Sequence, residues 1–322
     1  MLQPQEPGVG RPHKVAVVGA GLVGSTFAYA LMISGVAGEI VLIDKDAARA
    51  AGEAMDISHG VSFVRPVVVR AGVFEDCAGA DVIVIAAGVA QKPGESRLDL
   101  IRRNVEVFRE IIPQISHHAG DSILLVVTNP VDAMSYVTWR LSGLPAARVI
   151  GSGTVLDSSR LRYLLSVHCR VDPKNVHAYV IGEHGDSEVA VWSSVHLAGI
   201  RLDDYCPACS RACAAEERRR IFEEVRQAAY KIIERKGATY YGIGLSLVEI
   251  VESVVRDENS ILTVSTLLEG YLGVSGLFLS VPVILNRQGV GRVLPLRFTA
   301  DEEAGFRHSA EVVGGVIKEL GL

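Results

Sequence analysis

The feature that most constrains this chain is a short apolar run that ends in closely spaced glycines. Val15-Ala16-Val17-Val18 reads as a buried strand, and it passes directly into Gly19-Ala20-Gly21-Leu22-Val23-Gly24 and then into an apolar helix from about Ser25 to Ser34. In a strand-turn-helix context each glycine has a mechanical role. Gly19 makes the tight turn, Gly21 lets a pyrophosphate approach the backbone, and Gly24 lets helix and strand pack closely. The helix N-terminus then presents backbone N–H groups to the anion. A second strand, Glu39-Ile40-Val41-Leu42-Ile43, ends at Asp44, about 20 residues past the glycines, where a carboxylate accepts the ribose hydroxyls of an adenosine and repels a 2′-phosphate. The predicted cofactor is therefore NAD rather than NADP. A helix N-cap role for Asp44 is compatible with this.

Further strands are predicted at 67–70, 81–87 and 122–128 with helices between them, the alternation of a doubly wound parallel sheet of the Rossmann kind. The Val82–Ala86 run is apolar on both faces, as in a central parallel strand covered by helices. Its end at Ala87-Gly88-Val89, and Thr128-Asn129-Pro130 after the next strand, lie at the carboxyl edge where such sheets bind ligands. After Gly151-Ser152-Gly153-Thr154 the pattern changes to a mixed α+β region. It has helices near 157–168, 216–235 and 243–255, a strand over 176–181, antiparallel strands at 260–268 and 278–285, and a final helix opened by the capping box Thr299-Ala300-Asp301-Glu302. The expected organisation is a flexible segment 1–13, an NAD-binding domain 14–152 and a substrate domain 153–322, with the active site between the two domains.

Composition excludes several classes. Among 322 residues, 32 Lys and Arg against 37 Asp and Glu give a net charge of −5 with scattered basic residues, which argues against a nucleic-acid surface. The apolar stretch 15–43 is cut by glycines and by Glu39 and does not span a membrane, and the first fourteen residues lack the apolar run of a signal peptide, so the expected location is the cytoplasm. Five cysteines make a disulfide framework improbable. Cys206, Cys209 and Cys213 resemble half a metal site, but no fourth Cys or His lies at a suitable spacing. The expectation there is a surface loop before a helix, and no metal.

The strongest candidate for chemistry is Gly182-Glu183-His184-Gly185-Asp186-Ser187, whose histidine titrates near neutrality. A surface-loop histidine is the competing reading. Leu156-Asp157-Ser158-Ser159-Arg160 adds a carboxylate to orient an imidazole and a guanidinium to grip an anion. Between Gly88 and Arg97 runs Val-Ala-Gln-Lys-Pro-Gly-Glu-Ser, a polar loop before a helix with apolar residues at 98, 101, 105, 108, 112 and 115. That anchorage suits a loop that closes over a ligand, although a plain surface turn with Arg97 in solvent is the alternative.

Together and in order, the glycine-rich turn, Val89-Ala90-Gln91-Lys92-Pro93-Gly94-Glu95-Ser96-Arg97, Val127-Thr128-Asn129-Pro130-Val131-Asp132, the Leu156–Arg160 run and the His184 run resemble the L-lactate/malate dehydrogenase family, from about Lys14 to the end. The resemblance implies that His184 exchanges a proton with the substrate oxygen, that Asp157 orients the imidazole, that Arg160 clamps the substrate carboxylate in bidentate fashion, and that Arg97 polarises the carbonyl on loop closure. It implies cofactor contacts from Gly19, Gly21, Leu22, Val23, Gly24, Asp44, Gly88 and Asn129, and substrate contacts from Gln91, Asn129 and Thr239. Malate-type members carry arginine at the Gln91 position to pair a second carboxylate. A neutral glutamine there, with Glu95 and Glu183, resembles the lactate branch, which interconverts pyruvate and L-lactate. Malate dehydrogenase and a catalytically idle NAD-binding protein are the rivals. Arg162 and His177 match positions that in bacterial lactate dehydrogenases form a fructose 1,6-bisphosphate site across a two-fold interface. The apolar helices 28–33 and 243–255 suit a homotetramer.

Overall fold

The computed structural model describes residues 12–89, 97–208 and 214–321, with the side chains of Arg97, Pro207 and Ala208 left aside. The first half alternates as β1 (Lys14–Val18), α1 (Leu22–Ser34), β2 (Glu39–Ile43), α2 (Ala47–His59), β3 (Val68–Ala71), β4 (Val82–Ile85), α3 (Arg97–Ala119), β5 (Ile123–Val126), α4 (Val131–Ser142) and β6 (Val149–Gly151). Its six strands pair in parallel in the order β6-β5-β4-β1-β2-β3. The order reverses between β1 and β4, and the crevice that opens at the carboxyl ends of such strands is where these folds place ligands.

Strand alternation assigns neighbouring side chains to opposite faces. Val15, Val17, Val82, Val84 and Leu125 enter one core with Phe27 and Leu31 of α1, while Ala16, Val18, Ile83, Ile85 and Leu124 enter another with Phe108 and Ile112 of α3 and Met134 of α4. With both faces covered, the apolar runs of β1, β2, β4 and β5 are buried on both sides.

The second half continues with α5 (Val155–Cys169), β7 (Val176–His177), β8 (Val180–Ile181), β9 (Val189–Ala190), β10 (His196–Leu197), β11 (Ile200–Arg201), α6 (Leu202–Ala208), α7 (Ala215–Lys236), α8 (Tyr241–Val255), β12 (Ser260–Tyr271), β13 (Val274–Asn286), β14 (Gly289–Val293) and α9 (Ala300–Glu319). β12, β13 and β14 do not form a separate sheet. They add antiparallel to the parallel six, through the pair Ser265 and Gly151, and give one nine-stranded sheet. α8 packs on α1 beside Gly244, where a Cβ would stand 3.2 Å from the Thr26 methyl. The capping box at Thr299 is present, with Glu302 returning to the Thr299 N–H.

Two expectations are corrected. The strand predicted over 176–181 is broken: Val176–His177 pairs with β10, and Val180–Ile181 pairs with β9 in another sheet. The break falls where Arg162 takes the Ala178 carbonyl and Val191 takes that of Tyr179, so neither follows a single ladder. Cys206 is not in a surface loop, because it lies buried in α6. Of the segment 1–13 expected to be flexible, residues 1–11 lie outside the described residues; the His13 carbonyl accepts from the Gly38 and Glu39 N–H groups. Among the described residues no helix is long and apolar enough to cross a membrane.

Candidate active site

The glycine-rich turn has the geometry a dinucleotide needs. Gly19 sits at φ +106°, and a Cβ there would stand 2.5 Å from the Ala87 nitrogen; a Cβ on Gly24 would stand 1.9 Å from the Gly19 carbonyl oxygen. Nothing lies within 4 Å of the Cβ that Gly21 lacks, so the space above it is open. α1 starts at Leu22, so Leu22, Val23 and Gly24 form its first turn, which holds no acidic residue to compete with an anion. Asp44 accepts the Ala20 N–H at 2.8 Å on one oxygen and the Asp46 N–H at 3.0 Å on the other. The cap of α2 is Asp46 rather than Asp44. Two bonds leave a carboxylate lone pairs for further donors, so Asp44 stays competent to accept ribose hydroxyls. Gly88 lies against Thr128 and Asn104. These residues fit a dinucleotide.

A cavity of about 230 Å³ lies beside this edge, lined by Asn129, Asp157, Arg160, His184 and Glu188, with Tyr230 and Ile233 of α7 across from them. Asp157 and Arg160 share the cavity side of α5 one turn apart, and Leu161 and Leu165 fill the core beneath. Asp157 receives the His184 Nδ1 at 2.6 Å on Oδ2 and the Arg160 Nη1 at 2.6 Å on Oδ1. A carboxylate accepts, so Nδ1 carries the proton and Nε2 is the nitrogen left for the cavity.

Electrostatics follow from this packing. Burial opposes charge on the imidazole, but the charge and hydrogen bond of Asp157, with help from Glu188 and Asp132, raise His184 to about 9. Burial alone pushes Asp157 upward, and His184 and Arg160 overcome it and hold the carboxyl below its ordinary value. A positive imidazole and a guanidinium thus share one buried anion, as proton donor and carboxylate clamp require.

The loop carrying His184 is held from three sides. Gly182, at φ +92°, passes so close to Ser309 that a Cβ would meet its Oγ at 2.4 Å. Glu183 turns inward to accept the Ser187 hydroxyl at 2.5 Å, and Tyr230 of α7 donates to Asp186 at 2.9 Å. The His184 backbone N–H donates to Asp132 Oδ2 at 2.8 Å, and the Ser265 hydroxyl donates to Oδ1 at 2.6 Å.

Several residues were not singled out by sequence reasoning. Asp132, raised to about 6 chiefly by burial, supports the backbone of His184 from α4. Glu188 lies within 4.8 Å of the Asp157 and His184 donor atoms, and its Oε1 is buried with no hydrogen-bond partner among the described residues. Burial, then the Asp157 charge, raises its carboxyl well above the ordinary value. Asn104 accepts the Val89 N–H and donates to the Asn129 carbonyl, tying the start of the 88–97 loop to the neighbouring strand end. Asp132 sits inside a quoted run, and Glu188 follows His184 by four residues, but only their tertiary neighbours give them meaning.

Not every expected residue converges. Gln91 and Glu95 lie outside the described residues, and Arg97 is placed only as the first residue of α3. Thr239 is half-buried beyond the end of α7 and is not among the residues lining the cavity. Arg162 lines a second cavity with Ser159, Leu245 and Glu249, on another side of α5 from Arg160. Its Nε donates to the Ala178 carbonyl at 3.1 Å, one residue along the chain from the exposed His177.

Residues 13–151 match the family described as lactate/malate dehydrogenase, NAD binding domain, and residues 154–320 match its alpha/beta C-terminal domain. The chain is 53% identical over 310 residues to the L-lactate dehydrogenase of Thermoanaerobacter sp. (strain X514), covering 96% of this chain and 100% of that protein. It is 54% identical over 309 residues to the L-lactate dehydrogenase of Acetivibrio thermocellus, covering 96% and 98%. Among solved structures it superposes on the minor L-lactate dehydrogenase from Enterococcus mundtii with a TM-score of 0.93 at 41% identity, covering 95% of this chain and 98% of that one. With a lactate dehydrogenase from a Medee basin deep-sea metagenome library the TM-score is 0.95 at 41% identity, covering 97% and 100%. A dinucleotide turn, an acid-paired histidine and a buried guanidinium in one cavity thus accompany identity over almost the whole chain, and this protein belongs to the lactate/malate dehydrogenase family.

Proposed function

We propose that the chain is an NAD-dependent L-lactate dehydrogenase that interconverts pyruvate and L-lactate. The observation that carries this reading is the Asp157 carboxylate held between His184 and Arg160 at 2.6 Å each, in one cavity. Residues 14–152 take the cofactor and 153–322 supply these groups. Gly19, Gly21, Leu22, Val23 and Gly24 receive the pyrophosphate, Asp44 the ribose, and Gly88 with Asn129 the nicotinamide end. NADH supplies the hydride when bound.

The chain's own residues do the rest. Arg160 pairs with the substrate carboxylate and fixes which face of the carbonyl is presented. Negative charge develops on the carbonyl oxygen during reduction, and His184 gives that oxygen the Nε2 proton while Asp157 stabilises the imidazolium beforehand. Arg97, at the head of α3, faces the same oxygen when the 88–97 loop closes, and Thr239 contributes to the pocket in that closed form. Gln91 offers no counter-charge, and burying a second carboxylate unpaired costs several kcal/mol, so oxaloacetate is disfavoured. The relatives named above support the same branch. NADH oxidation with pyruvate and with oxaloacetate side by side tests the reading. Equal specificity constants, or none for pyruvate, overturn it.

Assembly and effector complete the proposal. Tyr29 and Ile33 of α1 and Tyr241 and Leu245 of α8 are exposed and line one apolar depression, which suits pairing into a homotetramer. Arg162 and His177 are the proposed phosphate-binding positions, and a two-fold axis beside them would join two such pairs. Fructose 1,6-bisphosphate, with a phosphate at each end, would neutralise both and favour the active tetramer. Assays with and without the bisphosphate, on parent and Arg162→Gln, test this: activation of the parent alone is expected, and equal responses exclude the site.

A further inference from the structure

Glu188 closes the loop on which His184 stands. That loop runs from Gly182 to Glu188 between β8 and β9, and the pairing of Ile181 with Val189 brings its two ends together. The Glu188 N–H donates to the Gly185 carbonyl at 3.2 Å, which turns the chain back toward the histidine. Its side chain is buried, lines the cavity, and lies with a carboxyl oxygen within 4.8 Å of the Asp157 and His184 donor atoms. The described cations around it are engaged elsewhere. His184 Nδ1 and Arg160 Nη1 face Asp157, and Arg226 of α7, which also lines the cavity, donates to Glu223 and to the Asp186 carbonyl. Glu188 Oε1 has no hydrogen-bond partner among the described residues. An ionised carboxyl that is buried beside a second carboxylate, with one oxygen unmatched, is costly, and a proton removes most of that cost.

We propose that Glu188 is a second proton-bearing residue of the substrate cavity, whose carboxyl must stay protonated, beside the His184 imidazolium, for a 2-oxo acid to bind. The proposal rests on the reading of this cavity as a 2-oxo acid site. Charge balance carries it. With Glu188 protonated, the imidazolium and the Arg160 guanidinium face one carboxylate, Asp157, and the single positive charge left over is what a substrate carboxylate cancels. With Glu188 ionised, the cluster is neutral before the substrate arrives, and binding then buries a negative charge without a counter-ion.

The other ionisable groups around the loop leave this balance as it is. Glu183 is turned to the Ser187 hydroxyl, Asp186 accepts from Tyr230, and Arg226 is offset by Glu223. Asp132 of α4 faces the His184 backbone, and burial places its carboxyl at about 6, so it adds no ionisation on the alkaline side. The Glu188 carboxyl is pushed upward by its burial and by Asp157, and drawn down less by His184, Arg160 and Arg226. His184 and Glu188 thus hold two protons close together, and these leave in two steps that belong to the pair.

Initial rates of the full chain, with NADH saturating and pyruvate varied from about pH 6 to about pH 10, give the kcat/KM profile, which reports ionisations present before the substrate binds. The parent should lose kcat/KM with two protons, reaching about a hundredfold per pH unit on the alkaline limb. The share due to Glu188 should appear in KM rather than in kcat, because a bound carboxylate holds that proton in place. Glu188→Gln keeps the shape of the protonated acid and should fall with one proton, about tenfold per pH unit. Glu188→Asp keeps an ionisable group and should show both steps, with one of them displaced along the pH axis. A one-proton fall in the parent, a two-proton fall in Glu188→Gln, or two undisplaced steps in Glu188→Asp would each overturn the proposal. The parent and Glu188→Asp decide the matter even if Glu188→Gln does not fold. Absence of pyruvate turnover would overturn the functional reading and this proposal with it, whereas turnover with a one-proton profile overturns the proposal alone.

Discussion

The backbone N–H of His184 donates to Oδ2 of Asp132 across 2.8 Å, so a helix of the first half holds in place the loop that carries the proposed acid of the second. Asp132 also receives the Ser265 hydroxyl from β12, and it is nearly without solvent contact. An asparagine in its place keeps one acceptor oxygen but turns an N–H₂ toward a donor.

Asp132→Asn is therefore expected to lower turnover. A hydrogen bond to a charged group contributes about 1.5–3 kcal/mol, which corresponds to roughly a tenfold to hundredfold fall if all of it acts on the position of His184. The stability effect has a definite pH sense. Burial pushes the folded carboxyl up to about 6 from an ordinary 3.8, so its ionisation costs the parent stability as pH rises from 3.8 to 6. The melting-temperature deficit of the variant should shrink across that window, and a deficit that grows there would refute the burial argument.

His184 titrates at about 9 in the fold against 6.5 for an ordinary histidine. Its folded value is raised, so the stabilisation from the Asp157 pair is fully present below 6.5 and is lost as pH rises through about 9. In the proposed mechanism pyruvate reduction uses the protonated ring, so the Michaelis constant for pyruvate should climb above pH 9. Asp157→Asn removes the largest opposing influence to burial and should move that climb to much lower pH. Titration of the ring by NMR, parent against variant, checks the direction directly.

Gln91→Arg should shift preference from pyruvate toward oxaloacetate by supplying the missing cation, with a change of several kcal/mol in relative transition-state binding, as for a buried bidentate pair. The ratio of specificity constants measures it. An unchanged ratio would place Gln91 away from the substrate.

Asp44→Ser should weaken discrimination against NADP by removing the carboxylate that repels a 2′-phosphate. Because Asp44 also accepts the Ala20 N–H, some loss of NAD affinity is expected with it. Initial rates with both cofactors at saturating pyruvate give the comparison, and an unaltered NAD to NADP ratio would restrict Asp44 to the turn.

How legible the sequence is depends on how far apart the interacting residues stand. The glycine-rich turn could be read because Gly19, Gly21 and Gly24 act within one strand-turn-helix, and the capping box because Thr299 and Glu302 are one turn apart. The Asp157 carboxylate is a candidate partner for His184 from residue chemistry alone, but the pairing of these two residues follows only from resemblance and from the fold, since nothing local joins residues on two elements. Asp132, Ser265 and Glu188 derive their importance from contacts closed by the fold alone. Cys169 is the plainest case. No spacing in the sequence links it to Cys206, while the fold brings the two side chains together, with donor atoms within 4.8 Å. The strand expected over 176–181 failed because apolar composition shows that a segment is buried but not which partner strand it follows.

The nine-stranded sheet passes without interruption from β6 into β12, although the two matching family segments meet beside that seam, at residues 151 and 154. The join is close: a Cβ on Gly151 would stand 2.8 Å from the Ser265 Cβ and 2.5 Å from the Ser135 Oγ. The nucleotide-binding half is consequently not a portable cassette. Cut out and grafted elsewhere, it would carry β6 as a raw margin with unpaired N–H and C=O groups, open to any strand that came along. What looks like a border between two domains is, in the backbone ladder, a graft union.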